Sequence, residues 1–144
     1  MNSDLNLYKK NRYLVKKNLI SQSLNLWTSK KVKKFKIGID YGGTKIEGIL
    51  LNENGDQIDR KRYSYEKNYI SGIETVKKLV NEFDQKSKSV CSVGIGIPGF
   101  SSKGTGLITN ANSLWLNDKP FKDDLENTLN RQVRLMNDAN CFTL

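Results

Sequence analysis

The sequence predicts an α/β fold in which a mixed sheet carries helices packed on it. Five segments have apolar residues in the alternating patterns or short runs that are typical of strands. Two segments between them have apolar residues spaced three and four apart, as amphipathic helices do. The predicted order along the chain is βββαβαβ.

The first strand leads into a candidate phosphate site in residues 35–45, FKIGIDYGGTK. Its apolar residues alternate as far as Asp40, and Gly42-Gly43 follows. Glycines lack a Cβ, so the turn can adopt backbone angles closed to other residues and present N–H groups to an anion. Asp40 before the turn and Thr44-Lys45 after it suit nucleotide phosphates and Mg²⁺. A tight hairpin turn with an incidental aspartate is the alternative, and Walker A spacing is not present.

Two further strands and a helix follow. KIEGILL at 45–51 predicts the second strand, and an Asn54-Gly55 turn joins it to a third strand at 57–65. Consecutive basic residues at 60–62 predict a sheet edge, and we interpret these charges as solubilising rather than ligand-binding. Apolar spacing predicts a helix over about 70–86, begun by a capping box from Ser71 to Glu74.

The run VCSVGIGI at 90–97 predicts a strand buried on both faces. It overlaps a G-x-G-x-x-G pattern from Gly94 to Gly99, which is typical of dinucleotide-binding folds. That fingerprint requires a helix opening at the glycines, whereas Pro98 and the following FSSKGTG predict a loop. We therefore expect Gly94 and Gly96 to allow close packing and Pro98-Gly99 to shape a loop.

A short strand is expected at 107–111, and asparagines 110, 112 and 117 then surround Trp115. Amides both donate to and accept from hydroxyls, which suits a polyol site, but asparagine is equally suited to turns. Helical spacing after Pro120 predicts a helix to about Asn130, followed by a strand at 132–136.

Asn137-Asp138 follows that last strand at its carboxyl end, the edge where open α/β sheets bind ligands. Asp138 is a candidate general base. The alternative is that it caps the next helix, and both roles can coexist.

The positive charge of the chain is concentrated at its start. The 144 residues carry a net charge of +9, and residues 1–34 alone hold nine Lys or Arg against Asp4. The other 15 basic and 14 acidic residues give a nearly neutral body, 35–144. Residues 1–34 are interpreted as a flexible or weakly helical extension, with a helix possible at about 12–27. A nucleic-acid or membrane-surface arm and an organellar presequence are the alternatives.

The two cysteines, Cys91 and Cys141, form no disulfide framework or CxxC metal motif. Both are expected to be small core residues in a reducing compartment. No apolar run reaches the roughly 18 residues that a membrane span requires. We therefore expect a cytoplasmic protein without a membrane partner.

Three motifs in this order resemble the ROK family of sugar kinases, in the actin/hexokinase-like ATPase superfamily. They are GIDYGGTK at 38–45, NANSLWLN at 110–117 and MNDANC at 136–141. The residues of these motifs are most similar to those of bacterial fructokinases and mannokinases. The resemblance covers residues 35–144 and implies a ribonuclease H-like first lobe.

The resemblance also implies roles for particular residues. Asp138 is expected to be the general base that deprotonates a hexose hydroxyl for phosphorylation by ATP, and Asp40 is expected to contact Mg²⁺ through water. The expected sugar, in contact with Gly99, Asn112, Asn137 and Asp138, is fructose, mannose or glucose. The expected ATP-binding residues are Gly38, Asp40, Gly42, Gly43, Thr44 and Lys45, with the backbone of residues 42–44 facing the β- and γ-phosphates.

The chain departs from the family after Asp138. Family members continue through a His/Cys zinc motif and a second lobe, whereas this chain has no His and ends at residue 144. We therefore expect an incomplete first lobe, truncated after its last strand, with little or no kinase activity alone and dimeric full-length relatives. The alternatives are a non-catalytic sugar-binding fragment and a ROK-type DNA-binding regulator. Thirty-four leading residues are few for a winged helix-turn-helix, so nucleic acid is a disfavoured partner.

Overall fold

The computed structural model describes residues 34–138 and places seven strands and two α-helices among them. A single 3₁₀ turn, Leu114–Leu116, precedes the second α-helix. The elements are β1 (Lys36–Tyr41), β2 (Lys45–Leu51), β3 (Gln57–Ser64), α1 (Tyr69–Ser87), β4 (Ser92–Ile97), β5 (Phe100–Ser101), β6 (Ile108–Thr109), α2 (Phe121–Leu129) and β7 (Val133–Asn137).

Five strands form the main sheet in the order β3-β2-β1-β4-β7. The pairs β1–β2 and β2–β3 are antiparallel, whereas β1–β4 and β4–β7 are parallel. The mixed sheet is confirmed, and β3 lies at an edge as its charges predict. Because β1, β4 and β7 run in the same direction, their carboxyl ends meet at one edge of the sheet.

Both helices pack on one face of this sheet. On that face Ile37, Ile39 and Tyr41 of β1 are buried. The apolar positions predicted for α1 lie against it, and those at 76, 79, 80 and 83 are fully buried. A Cβ on Gly48 of β2 would lie 2.4 Å from Cδ2 of Leu79. The glycine therefore lets the helix approach the strand closely.

The start of α1 differs from the prediction. Its N-cap is Asn68, whose side-chain oxygen accepts a hydrogen bond from the Ser71 N–H at 2.8 Å. The capping box beginning at Ser71 is therefore wrong. The helix begins before Ser71, because Asn68 is extended and its amide reaches the third helical N–H.

The strand predicted to be buried on both faces is buried on one. Val90 precedes β4 and is 77% exposed, and the strand alternates between buried and more exposed positions. A Cβ on Gly94 would meet no atom within 4 Å, so this glycine is not there for close packing. Gly94 and Gly96 instead leave the second face of the sheet without side chains at these two positions. Glycine made the run look continuously apolar although these positions face away from the core.

The stretch predicted as a loop after Pro98 contains a small hairpin, in which β5 pairs antiparallel with β6. The short strand expected at 107–111 is confirmed as β6. Cys91 is buried and free, as predicted, whereas Cys141 and residues 1–33 of the extension lie outside the described residues. Between residues 34 and 138, no helix is both long and apolar enough to span a bilayer.

Candidate active site

Three candidate segments lie at the same sheet edge because β1, β4 and β7 are parallel. The glycine turn of residues 42–44 follows β1, Pro98-Gly99 follows β4, and Asp138 follows β7. Residues far apart in sequence therefore lie at one edge of the sheet.

A cavity of about 690 Å³ lies on the open face of the sheet and reaches this edge. Asp40 and Asp138 both line it. The glycines at 38, 94 and 96 also line it, and since they have no side chains, they leave room above the central strands. The two predicted carboxylates thus share one hollow.

The Asp138 carboxyl has a pKa raised above its ordinary value, chiefly by burial and secondarily by the negative charge of Asp40. Asp40 itself is exposed. Burial and a like charge both disfavour the ionised form. The Asp138 carboxylate is consequently a stronger proton acceptor than an ordinary aspartate, which favours a general base. The helix that Asp138 was predicted to cap lies outside the described residues.

The glycine turn differs in detail from the prediction. Neither Gly42 nor Gly43 has a φ in the left-handed region, so unusual backbone angles are not the reason for these glycines. Gly42 is required by close approach, since a Cβ there would lie 2.8 Å from the Lys45 carbonyl oxygen. The Gly42 N–H donates to that same oxygen at 3.0 Å. Gly42 therefore shapes the turn, and its N–H is already used.

Within residues 34–138, the N–H groups of Gly43 and Thr44 have no hydrogen-bond partner. The Gly42 carbonyl, in contrast, accepts a hydrogen bond from the Tyr65 hydroxyl at 2.8 Å. Lys45 opens β2 and is exposed. Two adjacent unpartnered N–H groups, in a turn that follows Asp40 and precedes Lys45, can hold an anion.

The residues predicted to contact a sugar gather around the loop after β4. The Asn137 side-chain nitrogen donates to the Gly99 carbonyl at 2.8 Å, and the Asn112 N–H donates to the Pro98 carbonyl at 3.2 Å. A Cβ on Gly99 would lie 2.9 Å from the Cβ of Ala111, so the loop requires glycine. These contacts join the ends of β4 and β7 to the segment containing Asn112.

The sequence left open whether the asparagines around Trp115 bind a polyol or form turns, and the structure divides them between these two roles. Asn110 has a φ of 54°. The Asn117 side chain accepts from the Ala111 N–H at 2.9 Å and donates to the Ala111 carbonyl at 3.1 Å. Both therefore act as turn residues, whereas Asn112 is exposed and available to a ligand.

One wall of the cavity was not predicted. Glu47 of β2 lines it together with Arg60 of β3, and Glu47 forms ion pairs with both Arg60 and Arg62. Hydrogen bonds from these two arginines, Arg60 first, lower the pKa of Glu47. Arg134 and Met136 of β7 line the opposite side. For the β7 side, the sequence signal was alternation, which places residues 134 and 136 on the same face of the strand.

Comparison with known proteins finds sugar kinases among the relatives of this chain. Over 108 residues the chain is 42% identical to an N-acetyl-D-glucosamine kinase of Haemophilus influenzae, covering 74% of this chain and 36% of that protein. The chain thus spans about a third of the length of such relatives. These relatives are not fructokinases or mannokinases, so that finer resemblance stays a prediction.

Solved structures share the fold. A ROK family glucokinase from Streptomyces griseus, in complex with glucose and AMPPNP, matches with a TM-score of 0.65 and 23% identity, over 76% of this chain and 35% of that one. A ROK family transcriptional regulator, a homolog of the E. coli MLC protein, matches with a TM-score of 0.59 and 12% identity, over 77% of this chain and 29% of that one. At these identities the likeness shows the fold alone, which is the first part of the actin/hexokinase-like fold of ROK kinases.

The sequence profile described as the ROK family matches residues 36–144, which include every predicted site residue. This chain therefore belongs to the ROK family.

Proposed function

We propose that the described residues form the phosphate- and sugar-binding part of an ATP-dependent sugar kinase, with Asp138 as general base. The observation that carries the proposal is that Asp40 and Asp138 line one cavity at the carboxyl edge of the parallel strands. Phosphoryl transfer requires a cation-binding group near the phosphates and a base near the acceptor hydroxyl. These two carboxylates can supply both within the same hollow.

The residues around the glycine turn fit a magnesium nucleotide. Asp40 offers the carboxylate oxygen that Mg²⁺ prefers, directly or through water. The unpartnered N–H groups of Gly43 and Thr44 suit phosphoryl oxygens, and Lys45 adds a positive charge. When bound, Mg²⁺ would neutralise charge on the transferring phosphoryl group. Gly38, Gly42 and Gly43 keep side chains out of the space that the phosphates would occupy.

The chemistry assigned to Asp138 is proton transfer. The acceptor hydroxyl oxygen bonds to the γ-phosphorus, the bond from that phosphorus to the β,γ-bridging oxygen breaks, and the hydroxyl proton passes to Asp138. The products are the sugar phosphate and ADP. The raised pKa of Asp138 favours this role because a more basic carboxylate accepts the proton more readily.

The proposed acceptor is a hexose or an N-acetylhexosamine. The similar protein from Haemophilus influenzae is an N-acetyl-D-glucosamine kinase. The Streptomyces griseus structure contains glucose. The NANSLWLN motif resembles that of fructokinases and mannokinases, which favours fructose or mannose. Gly99, Asn112 and Asn137 form the proposed sugar-binding rim, and the whole protein is proposed to be dimeric, cytoplasmic and ATP-dependent.

The proposal can be tested on this chain by nuclear magnetic resonance. We expect Mg·ATP to shift the amide resonances of Gly43 and Thr44. At least one of four sugars, N-acetyl-D-glucosamine, glucose, fructose and mannose, should shift those of Gly99 and Asn112. Asp138→Ala should abolish the sugar-induced shifts.

A matched control is Asp123→Asn, which changes an exposed carboxylate that does not line the cavity. It should leave both sets of shifts unchanged. If none of the sugars shifts a rim resonance in the unmodified chain, the sugar site is refuted. If Asp138→Ala binds sugar as the unmodified chain does, Asp138 is not part of it.

A further inference from the structure

We propose that Tyr65 is a positioning residue that aims the Gly43 N–H at the phosphate. This inference deepens the proposed function and rests on it. Tyr65 lies just after β3, outside every motif of the sequence, and does not line the cavity.

The argument depends on one peptide unit. The Tyr65 hydroxyl donates to the Gly42 carbonyl at 2.8 Å. That carbonyl and the Gly43 N–H belong to the same planar trans peptide, in which the two groups point in opposite directions. A bond that fixes the carbonyl on one side therefore fixes the N–H on the other side, free of protein partners among residues 34–138.

The neighbouring bond of Gly42 completes the constraint. The Gly42 N–H donates to the Lys45 carbonyl at 3.0 Å, so both peptide planes flanking Gly42 are held. Without the tyrosine hydroxyl, the plane between Gly42 and Gly43 would keep no hydrogen bond within the described residues. Glycine imposes little torsional restraint of its own.

Tyr65 is itself held in place by aromatic contacts. Its ring packs edge-on against Tyr41, with centroids 5.4 Å apart, and against Trp115, with centroids 6.2 Å apart. Tyr41 is fully buried. Trp115 belongs to the segment that also contains Asn112, so Tyr65 connects the phosphate turn to the proposed sugar rim.

Tyr65→Phe tests the inference because it removes only the hydroxyl and keeps the ring contacts. Magnesium tripolyphosphate is the probe, and binding is measured from the amide shifts of Gly43 and Thr44. We expect Tyr65→Phe to weaken binding about fivefold, the loss of one ordinary hydrogen bond. Hydrogen exchange at the Gly42 and Gly43 amides should also change relative to that of the β4 amides.

Tyr63→Phe is the matched control. Tyr63 lies in β3, two residues before Tyr65, and its hydroxyl donates to Glu82 at 2.7 Å, away from the turn. It should lose a hydrogen bond of the same kind with no change in tripolyphosphate affinity. Equal affinities of the unmodified chain and Tyr65→Phe would overturn the positioning role alone. An equal loss in both variants would show a general structural effect and overturn it too. If the unmodified chain does not bind tripolyphosphate, the proposed phosphate site fails with it.

Discussion

Arg131 provides the sharpest test of how this fold is held together. It lies between α2 and β7. Its two terminal nitrogens, Nη1 and Nη2, donate to the carboxylate of Asp84 in α1, and Nη1 also donates to the Cys91 carbonyl at 3.0 Å. The Cys91 N–H donates to Asp84 at 2.9 Å. The side chains of Arg131 and Asp84 are only 16% and 17% exposed. One pair thus joins α1 to the segments that precede β4 and β7.

Arg131→Met should lower the free energy of unfolding at neutral pH by about 2–3 kcal/mol. Hydrogen bonds to charged groups contribute about 1.5–3 kcal/mol, and breaking a fully buried pair costs about 3–5 kcal/mol. The low exposure of both side chains places the pair between these cases. Asp84 would also retain the Cys91 N–H, which limits the penalty.

The penalty should depend on pH. Burial tends to raise the pKa of Asp84, but hydrogen bonds from Arg131 and the Cys91 N–H outweigh it, so the pKa lies below the ordinary 3.8. A carboxyl group with a depressed folded-state pKa stabilises fully above its unfolded-state pKa. That contribution is lost as the pH falls through the folded-state pKa. The difference between the unmodified chain and Arg131→Met should therefore be largest near neutrality and shrink below the ordinary value of 3.8.

Urea denaturation followed by circular dichroism would measure the effect for the unmodified chain, Arg131→Met, Asp84→Asn and the double variant. The double-mutant cycle isolates the pairwise energy. Lys122→Met is the control, since Lys122 is 45% exposed and lies 3.6 Å from Glu126, a geometry worth little. A penalty below about 0.5 kcal/mol at neutral pH, or one that does not change with pH, would refute the reasoning.

Other substitutions test the packing. Gly48→Ala should destabilise by about 1–3 kcal/mol in thermal unfolding because its Cβ would meet Leu79, whereas Gly94→Ala, with open space around it, should fold normally. Equal losses would contradict this. Tyr41→Phe should raise the free energy of unfolding by up to about 1 kcal/mol, because within residues 34–138 the buried hydroxyl has no hydrogen-bond partner. A loss in urea denaturation would show that the hydroxyl is stabilising. Asn68→Ala should cost about 1 kcal/mol as a lost N-cap, and a neutral result in the same assay would argue against that cap.

Local patterns predicted most elements to within a residue or two. Alternation along β2 and helical spacing along α1 are set by neighbours in sequence, so they can be read without a structure. The errors have specific causes. Gly94 and Gly96 made β4 look apolar on both faces, since glycine counts as neither a core nor a surface residue. Ser71 matched a capping-box pattern, but Asn68 is the N-cap of α1. Which residue caps the helix depends on where the backbone changes from extended to helical, and the pattern does not show that.

The sequence by itself determined the α/β class, the edge position of β3 and the motifs that mark the family, because each depends on residue types at short spacing. Only the tertiary structure decided that Asp40 and Asp138 share a cavity and that Tyr65 holds the Gly42 carbonyl. Strand order and register bring those groups together across long stretches of chain. They are set by the packing of the whole sheet rather than by any local pattern.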